Sequence, residues 1–226
     1  MRSAYGYTVE VTTPTLETRP LRRDAQANRE RIVAAARAVF ATGGIEATVE
    51  EIARRAGVGI GTLYRRFPTK EALVDAVLED AFGQIVRVAE ESLAEEDAWV
   101  GFTSFLERSL ALHGADRGLK DLVASGEHGL ARAEAMRSRL RPLIRRLVER
   151  AQDEGSLRAD FAPEDVPVVF WTAGRVIETT SPVAPEFWRR YLGLLLDGLR
   201  AGAASPLPHR PLTRAQLDRA SRRRAG

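Results

Sequence analysis

The stretch Thr48 to Lys70, TVEEIARRAGVGIGTLYRRFPTK, constrains this chain more than any other, because its turn and capping residues fix a local architecture. Thr48 is placed to cap a helix, and Glu51 three residues on completes a capping box. A short helix therefore begins here, with Ile52, Ala53 and Ala56 on one face. Gly57 ends it. Glycine accepts the left-handed backbone that a tight turn needs, and Val58 plugs the turn into the core between two crossing helices. A second helix, from about Gly59 to Phe67, directs Leu63 and Phe67 inward and leaves Ile60, Thr62, Tyr64, Arg65 and Arg66 largely outside. Helix, glycine turn and basic second helix predict a helix-turn-helix.

The flanking segments support this unit. From Asp24 to Thr42 the residues Ile32, Val33, Ala36, Val39 and Phe40 recur at helical spacing, and Gly43-Gly44 closes the element. Pro68 stops the second helix, and Thr69 caps a long one from Lys70. Its stripe of Leu73, Ala76, Val77, Ala81, Ile85, Val88 and Ala89 runs to about Ser92, one rod joining head to body. Further helices are predicted near Asp97–His113, Arg117–Ser125, Arg132–Asp153, Pro163–Thr180 and Glu186–Ala201, with a kink or break at Pro142. No strand is needed anywhere.

The expected fold is all-α, and 226 residues are enough for two domains. A three-helix helix-turn-helix domain over 22–70 is followed by a larger helical regulatory and dimerisation domain over 71–203. Flexible tails are expected at 1–21 and, rich in arginine, at 204–226.

The net charge of +3 conceals a division. Residues 1–23 carry +2, 24–70 carry +3 and 204–226 carry +5, leaving −7 for 71–203. A basic head and tail around an acidic body suit a polyanion partner that the body itself repels. The absence of cysteine excludes disulfides, thiol catalysis and cysteine metal sites. His113, His128 and His209 lie too far apart for a local two-histidine metal motif. There is no phosphate-cradling glycine loop and no serine in a nucleophile elbow. No catalytic residue, metal or cofactor is expected, and an enzyme is disfavoured. No apolar run is long enough to span a bilayer, and the first residues lack the charged-then-apolar order of a signal peptide. A cytoplasmic protein without a membrane partner is expected.

The run GVGIGTLYRRFPTKEALVDAV, preceded by FATGGIEATVEEIARRA, resembles the DNA-binding domain of the TetR family of bacterial transcriptional repressors, whose pattern is roughly A-x-x-A-G-V-S-x-G-T-L-Y-x-H-F-x-S-K-E-x-L. The match extends over about Arg29 to Val77 and departs from the pattern at two positions. Gly59 stands where a capping serine is usual, and Arg66 where a histidine is usual. Double-stranded DNA is the expected partner. Thr48 and Lys70, each at a helix N-terminus, suit backbone phosphates, and the resemblance gives Tyr64 the same role. Base reading falls to Ile60, Thr62, Arg65 and Arg66. Arg22, Arg23 and the early arginines of the first helix suit phosphates or an adjacent minor groove, and equally a solvated surface.

The last two helices of the body carry wide apolar faces, Val166, Phe170, Ala173 and Ile177 on one and Trp188, Leu192, Leu195 and Leu199 on the other. An antiparallel pair from each of two chains predicts a four-helix homodimer interface, an arrangement the resemblance also implies; a wholly intramolecular pair is the alternative. The resemblance further implies a small-molecule effector in the body. By position its pocket takes in Trp99, Phe102, Leu106, His113, Met136, Leu140, Trp171 and Arg175, residue types that equally build a core. If buried, Arg175 requires a carboxylate such as Glu178, a partner subunit or an anionic ligand. The expected function is a homodimeric repressor on a palindromic operator, released by its ligand. The alternative is a helical small-molecule-binding protein with only non-specific DNA affinity.

Overall fold

The computed structural model describes residues 18–115, 127–203 and 205–225. Helices α1 (Thr18–Gly43), α2 (Val49–Ala56) and α3 (Ile60–Arg66) form a head with the first half of α4 (Lys70–Leu93). Ile32, Val33, Val39 and Phe40 of α1, Ile52 of α2, Leu63 of α3 and Leu73 and Val77 of α4 are buried together in one core. Helix α1 begins earlier than its apolar periodicity predicts, at Thr18 rather than Asp24, because the added residues include the good helix formers arginine and leucine, and Pro20 falls in the first turn, where its missing N–H costs nothing.

Helix α4 leaves that core at Phe82 and enters a second one at Val86. Its 24 residues span about 36 Å. The second core is the body, built from the rest of α4 with α5 (Ala98–Ala115), α6 (Glu127–Asp153), α7 (Val166–Thr180) and α8 (Phe187–Leu199). Phe102, Phe105, Leu106 and Leu110 of α5 lie at its centre. Phe102 meets Phe161 edge-on at 5.8 Å between ring centres, and Phe105 meets Phe170 likewise at 5.9 Å. Met136 of α6 packs against both cores, so α6 as well as α4 ties head to body.

Three expectations are changed by the structure. Of the kink or break expected at Pro142, the break does not occur: α6 runs through it as one continuous element. Proline removes the N–H that would bond the Ser138 carbonyl one turn back, and both residues lie on the exposed face, where water satisfies that carbonyl. The segment predicted as one helix from Pro163 opens with a 3₁₀ turn, Pro163–Asp165, whose Asp165 carboxylate accepts the Ala162 N–H at 2.9 Å. Residues 214–225, expected within a flexible tail, form a further helix, α9 (Arg214–Ala225). The helix predicted near Arg117–Ser125 and the tail over 1–17 lie outside the described residues. No helix of the described residues is long and apolar enough to cross a membrane.

Between α8 and α9 the chain runs as a strap held to the body by an ion pair. The Arg158 side chain, only 8% exposed, donates from Nε to Asp160 Oδ1 at 2.5 Å and from Nη2 to Oδ2 at 3.0 Å. Its remaining donors reach the carbonyls of Gly198 and Ser205 at 3.0 and 2.5 Å. Asp160 Oδ2 also accepts the Leu207 N–H at 3.0 Å. The Arg158 hydrogen bonds, reinforced by the Leu207 N–H, hold the Asp160 carboxyl down at about 2.

Two predictions follow from this packing. A Cβ at Gly101, on α5, would collide with the Ser92 carbonyl oxygen of α4, a backbone atom that cannot swing aside. Gly101→Ala should destabilise the protein by about 1–3 kcal/mol in urea unfolding. A carboxyl with a depressed folded-state pKa stabilises the fold above its ordinary value of 3.8, and that contribution fades as pH falls towards about 2. Asp160→Asn should therefore unfold earlier than the parent at neutral pH, and the gap between their urea midpoints should close across that acidic window.

Candidate nucleic-acid interface

The turn between α2 and α3 is specified atom by atom. Thr48 Oγ1 accepts the Glu51 N–H at 3.3 Å, so the threonine half of the expected capping box is in place and the hydroxyl keeps its own proton for an outside acceptor. Gly57 is left-handed, with φ 66°. Its N–H bonds the Arg54 carbonyl at 3.2 Å, and the Val58 N–H bonds that of Ala53 at 3.1 Å. This pairing is the Schellman arrangement, which only a residue tolerant of positive φ closes without strain. Val58 then packs half-buried against the head core, as expected.

Helix α3 starts on Gly59, whose carbonyl accepts the Thr62 and Leu63 N–H groups at 2.9 and 3.1 Å. Leu63 is wholly buried, and Phe67, just past the helix end, is buried beside it. Ile60, 41% exposed, and Tyr64, 44% exposed, lie one turn apart on a flank of the helix, and Arg65 is exposed on the face away from Leu63. Two large apolar side chains one turn apart leave much of their area open to solvent. Thr62 is half-buried at the edge of the face. Thr69 Oγ1 caps α4 by accepting the Ala72 N–H at 3.1 Å, which places half-buried Lys70 in the first turn.

Arg66 is placed differently from a base reader. Its Nη2 donates to the Ala25 carbonyl of α1 at 2.7 Å, fastening the end of α3 to the first helix. Standing three residues after Leu63, it lies on the inward flank of α3, a phase legible in the sequence. Arg29 of α1 reaches the same region, with its guanidinium 5.8 Å from the centre of the Phe67 ring. The sequence reading also missed Arg54 and Arg55, exposed cations in the last turn of α2, although their spacing from buried Ile52 and Ala53 already places them outward.

The residues predicted to line an effector pocket do not share one cleft. Phe102, Leu106 and Leu140 are buried members of the body core. Trp99 is half-buried beneath Arg200, whose guanidinium lies 4.0 Å from the ring centre. Met136 bridges the two cores, and Trp171 is half-buried. Arg175 is not buried at all. Its side chain is 80% exposed and pairs with Glu178 at 3.5 Å, so it requires no anionic ligand. The His113 side chain lies outside the described part of α5. Two clefts lie elsewhere. One of about 340 Å³ is lined by Arg29, Asp80, Gly83 and Arg139, and one of about 440 Å³ by Phe161, Leu207 and Pro208.

The predicted dimer faces turn inward. Val166, Ala173, Ile177, Trp188 and Leu192 are buried in the chain's own body, and Phe170 and Leu199 are half-buried against it; Leu195 is half-buried without joining that core. The widest apolar stripe of an amphipathic helix covers its own core first, so the stripe that sequence makes most visible is not the one available to a partner. The large apolar side chains that remain exposed on α8 are Phe187 and Leu194, the latter 64% exposed.

A family model described as bacterial regulatory proteins, tetR family, matches residues 32–77, and one described as the C-terminal domain of SbtR-like transcriptional regulators matches residues 96–201. The HTH-type transcriptional repressor KstR2 of Rhodococcus jostii (strain RHA1) is 31% identical over 195 residues, covering 76% of this chain and 90% of that protein. Among solved structures, a TetR transcription regulatory protein from Mycobacterium vanbaalenii is 34% identical, with a TM-score of 0.65 over 80% of this chain and 99% of that one. The regulator SCO0520 from Streptomyces coelicolor is 30% identical, with a TM-score of 0.64 over 76% and 98% of the two chains.

Gly59 offers a direct test of the capping argument. Its backbone is extended at φ −68° and ψ 146°, and a Cβ added there meets nothing within 4 Å. Gly59→Ser should therefore stabilise the fold by about 0.5–1 kcal/mol, through a better cap and a less flexible unfolded chain, visible as a raised melting temperature.

Proposed function

The chain belongs to the TetR family of bacterial regulatory proteins, and from that premise we propose that it is a homodimeric repressor whose two α3 helices enter successive major grooves of a palindromic operator. The observation that carries this reading is the outer face of α3, where Ile60, Tyr64 and Arg65 stand exposed while Leu63 locks the helix from behind. Arg65 suits a two-pronged hydrogen bond to guanine, and Ile60 or the Thr62 methyl suits a thymine methyl. Thr48, Tyr64 and Lys70 hold phosphates around that centre. Arg66, committed to Ala25, keeps the angle of the reading helix instead of reading a base.

A two-headed protein of this kind places its reading helices about 34–36 Å apart, or a multiple of that. The outer side of α8, with Phe187 and Leu194, is the dimer surface in this reading. A small molecule bound in the body releases the operator by favouring another head spacing. Affinity falls by the difference in its stabilisation of the two states. Helix α4 supports this route, since it is buried in both cores and cannot tilt in one without moving the other.

Footprinting on the DNA beside the protein's own gene tests the reading. A protected palindrome, displaced by a metabolite extract, is the expected result; sequence-blind protection would favour a ligand-binding protein with only non-specific DNA affinity. Arg65→Ala should lower discrimination at one base pair by about 1–3 kcal/mol. Lys70→Ala should weaken binding to all sequences alike and reduce the salt slope by about 1. If both variants bind as the parent does, α3 does not lie in the groove as described.

A further inference from the structure

We propose that the strapped C-terminal helix, α9, is a second, sequence-independent contact for double-stranded DNA. This goes beyond the reading head and stands whether or not that head recognises an operator. Residues 204–226 carry six arginines against Asp218 alone. The helix whose sequence holds five of them is specified locally. The Thr213 N–H donates to Gln216 Oε1 at 2.8 Å, and the Gln216 N–H donates to Thr213 Oγ1 at 3.4 Å, a complete capping box. Its sides differ. Leu217, Ala220 and Ser221 are half-buried, while Arg214, Arg219 and Arg223 are exposed; at 100° per residue Arg219 and Arg223 fall on the opposite arc, and Arg214 flanks the half-buried side at the helix start. No carboxylate among the described residues pairs with these three arginines.

The strap decides where these charges stand. Arg158 and Asp160 fix Ser205 and Leu207 to the loop after α6. That loop lies at the far end of α4, because Arg150, near the end of α6, donates to the Leu93 carbonyl at 3.0 Å. The arm therefore starts at the end of α4 about 36 Å along the helix from Lys70. Pro206, Pro208 and Pro211 stiffen it. Guanidinium groups that no carboxylate pairs with among the described residues, on a capped helix, suit a dense row of phosphates. A duplex offers one about every 1.7 Å of its axis. A lipid surface would need large apolar residues beside the arginines, and α9 has only Leu217, itself half-buried. At that end of the body the fitting ligand is a second segment of duplex.

The test uses the full chain and a 40-base-pair duplex of random sequence. Between about 50 and 200 mM salt the parent should lose about 40-fold more affinity than Arg214→Gln/Arg219→Gln/Arg223→Gln, the loss expected for three phosphate contacts. A fluorescent duplex should also be retained on beads carrying an unlabelled one by the parent and not by the variant. Glutamine keeps helix propensity, so circular dichroism should be unchanged. The same comparison made in an Arg65→Ala/Lys70→Ala background separates arm from head, because the arm's share of the salt dependence persists there even if the head binds nothing. Equal salt slopes and equal retention would overturn the proposal. So would unchanged DNA binding with weakened self-association in sedimentation, which would give the arm to the acidic body of a second copy.

Discussion

Helix α4 is shared by two cores, which Met136 of α6 also joins, and the relation of head to body depends on that sharing. Leu73, Val77 and Leu78 are buried in the first core, and Val86, Val88 and Ala89 in the second. A helix fixed by side chains at both ends behaves as a lever, because close-packed interiors shift between discrete arrangements instead of deforming smoothly. Gly101 sets where the lever is held in the body. At that point α5 approaches the Ser92 carbonyl so closely that no side chain fits between them.

The head shows why its surface is free to do something else. Helix α3 has seven residues, too few to be stable by its own hydrogen bonds. Its order comes from neighbours: Leu63 beneath it, Phe67 at its end with Arg29 over the ring, and the Arg66 bond to Ala25. With stability supplied from behind, Ile60, Tyr64 and Arg65 stay exposed. An exposed isoleucine and tyrosine one turn apart cost solubility unless a partner covers them, so their placement is itself a statement about function.

Much of this was legible in the sequence, and the failures share one physical cause. Thr48, Gly57 and Thr69 were readable because a cap or a left-handed turn is settled by backbone geometry within a few residues. The wide faces around Phe170 and Trp188 were readable as apolar but not as inward or outward, since that depends on which of two surfaces the rest of the chain covers. The apolar run VVFWTAGRVI left the burial of Arg175 open, and its place in the folded helix is outward beside Glu178. Pro142 was expected to disrupt its helix because the cost was counted without asking whether the orphaned carbonyl faces water. The composition of the C-terminal segment suggested flexibility. The Arg158–Asp160 pair that pins it lies more than 40 residues away and leaves no local signature.

That pair also shows how a buried charge is made compatible with folding. A guanidinium 8% exposed would be costly alone, and Arg158 meets the cost with two carboxylate bonds and two backbone carbonyls, using its fork in several directions at once. Lysine, with a compact charge and no planar fork, could not join Asp160, Gly198 and Ser205 together. The geometry therefore explains why arginine in particular stands at the junction of the α6–α7 loop, the end of α8 and the strap. It also explains the charge pattern of the chain. The arginines beyond the strap are kept off a body of net −7 by an anchored, proline-stiffened connection, where a loose tail of the same composition would collapse onto that body and neutralise itself.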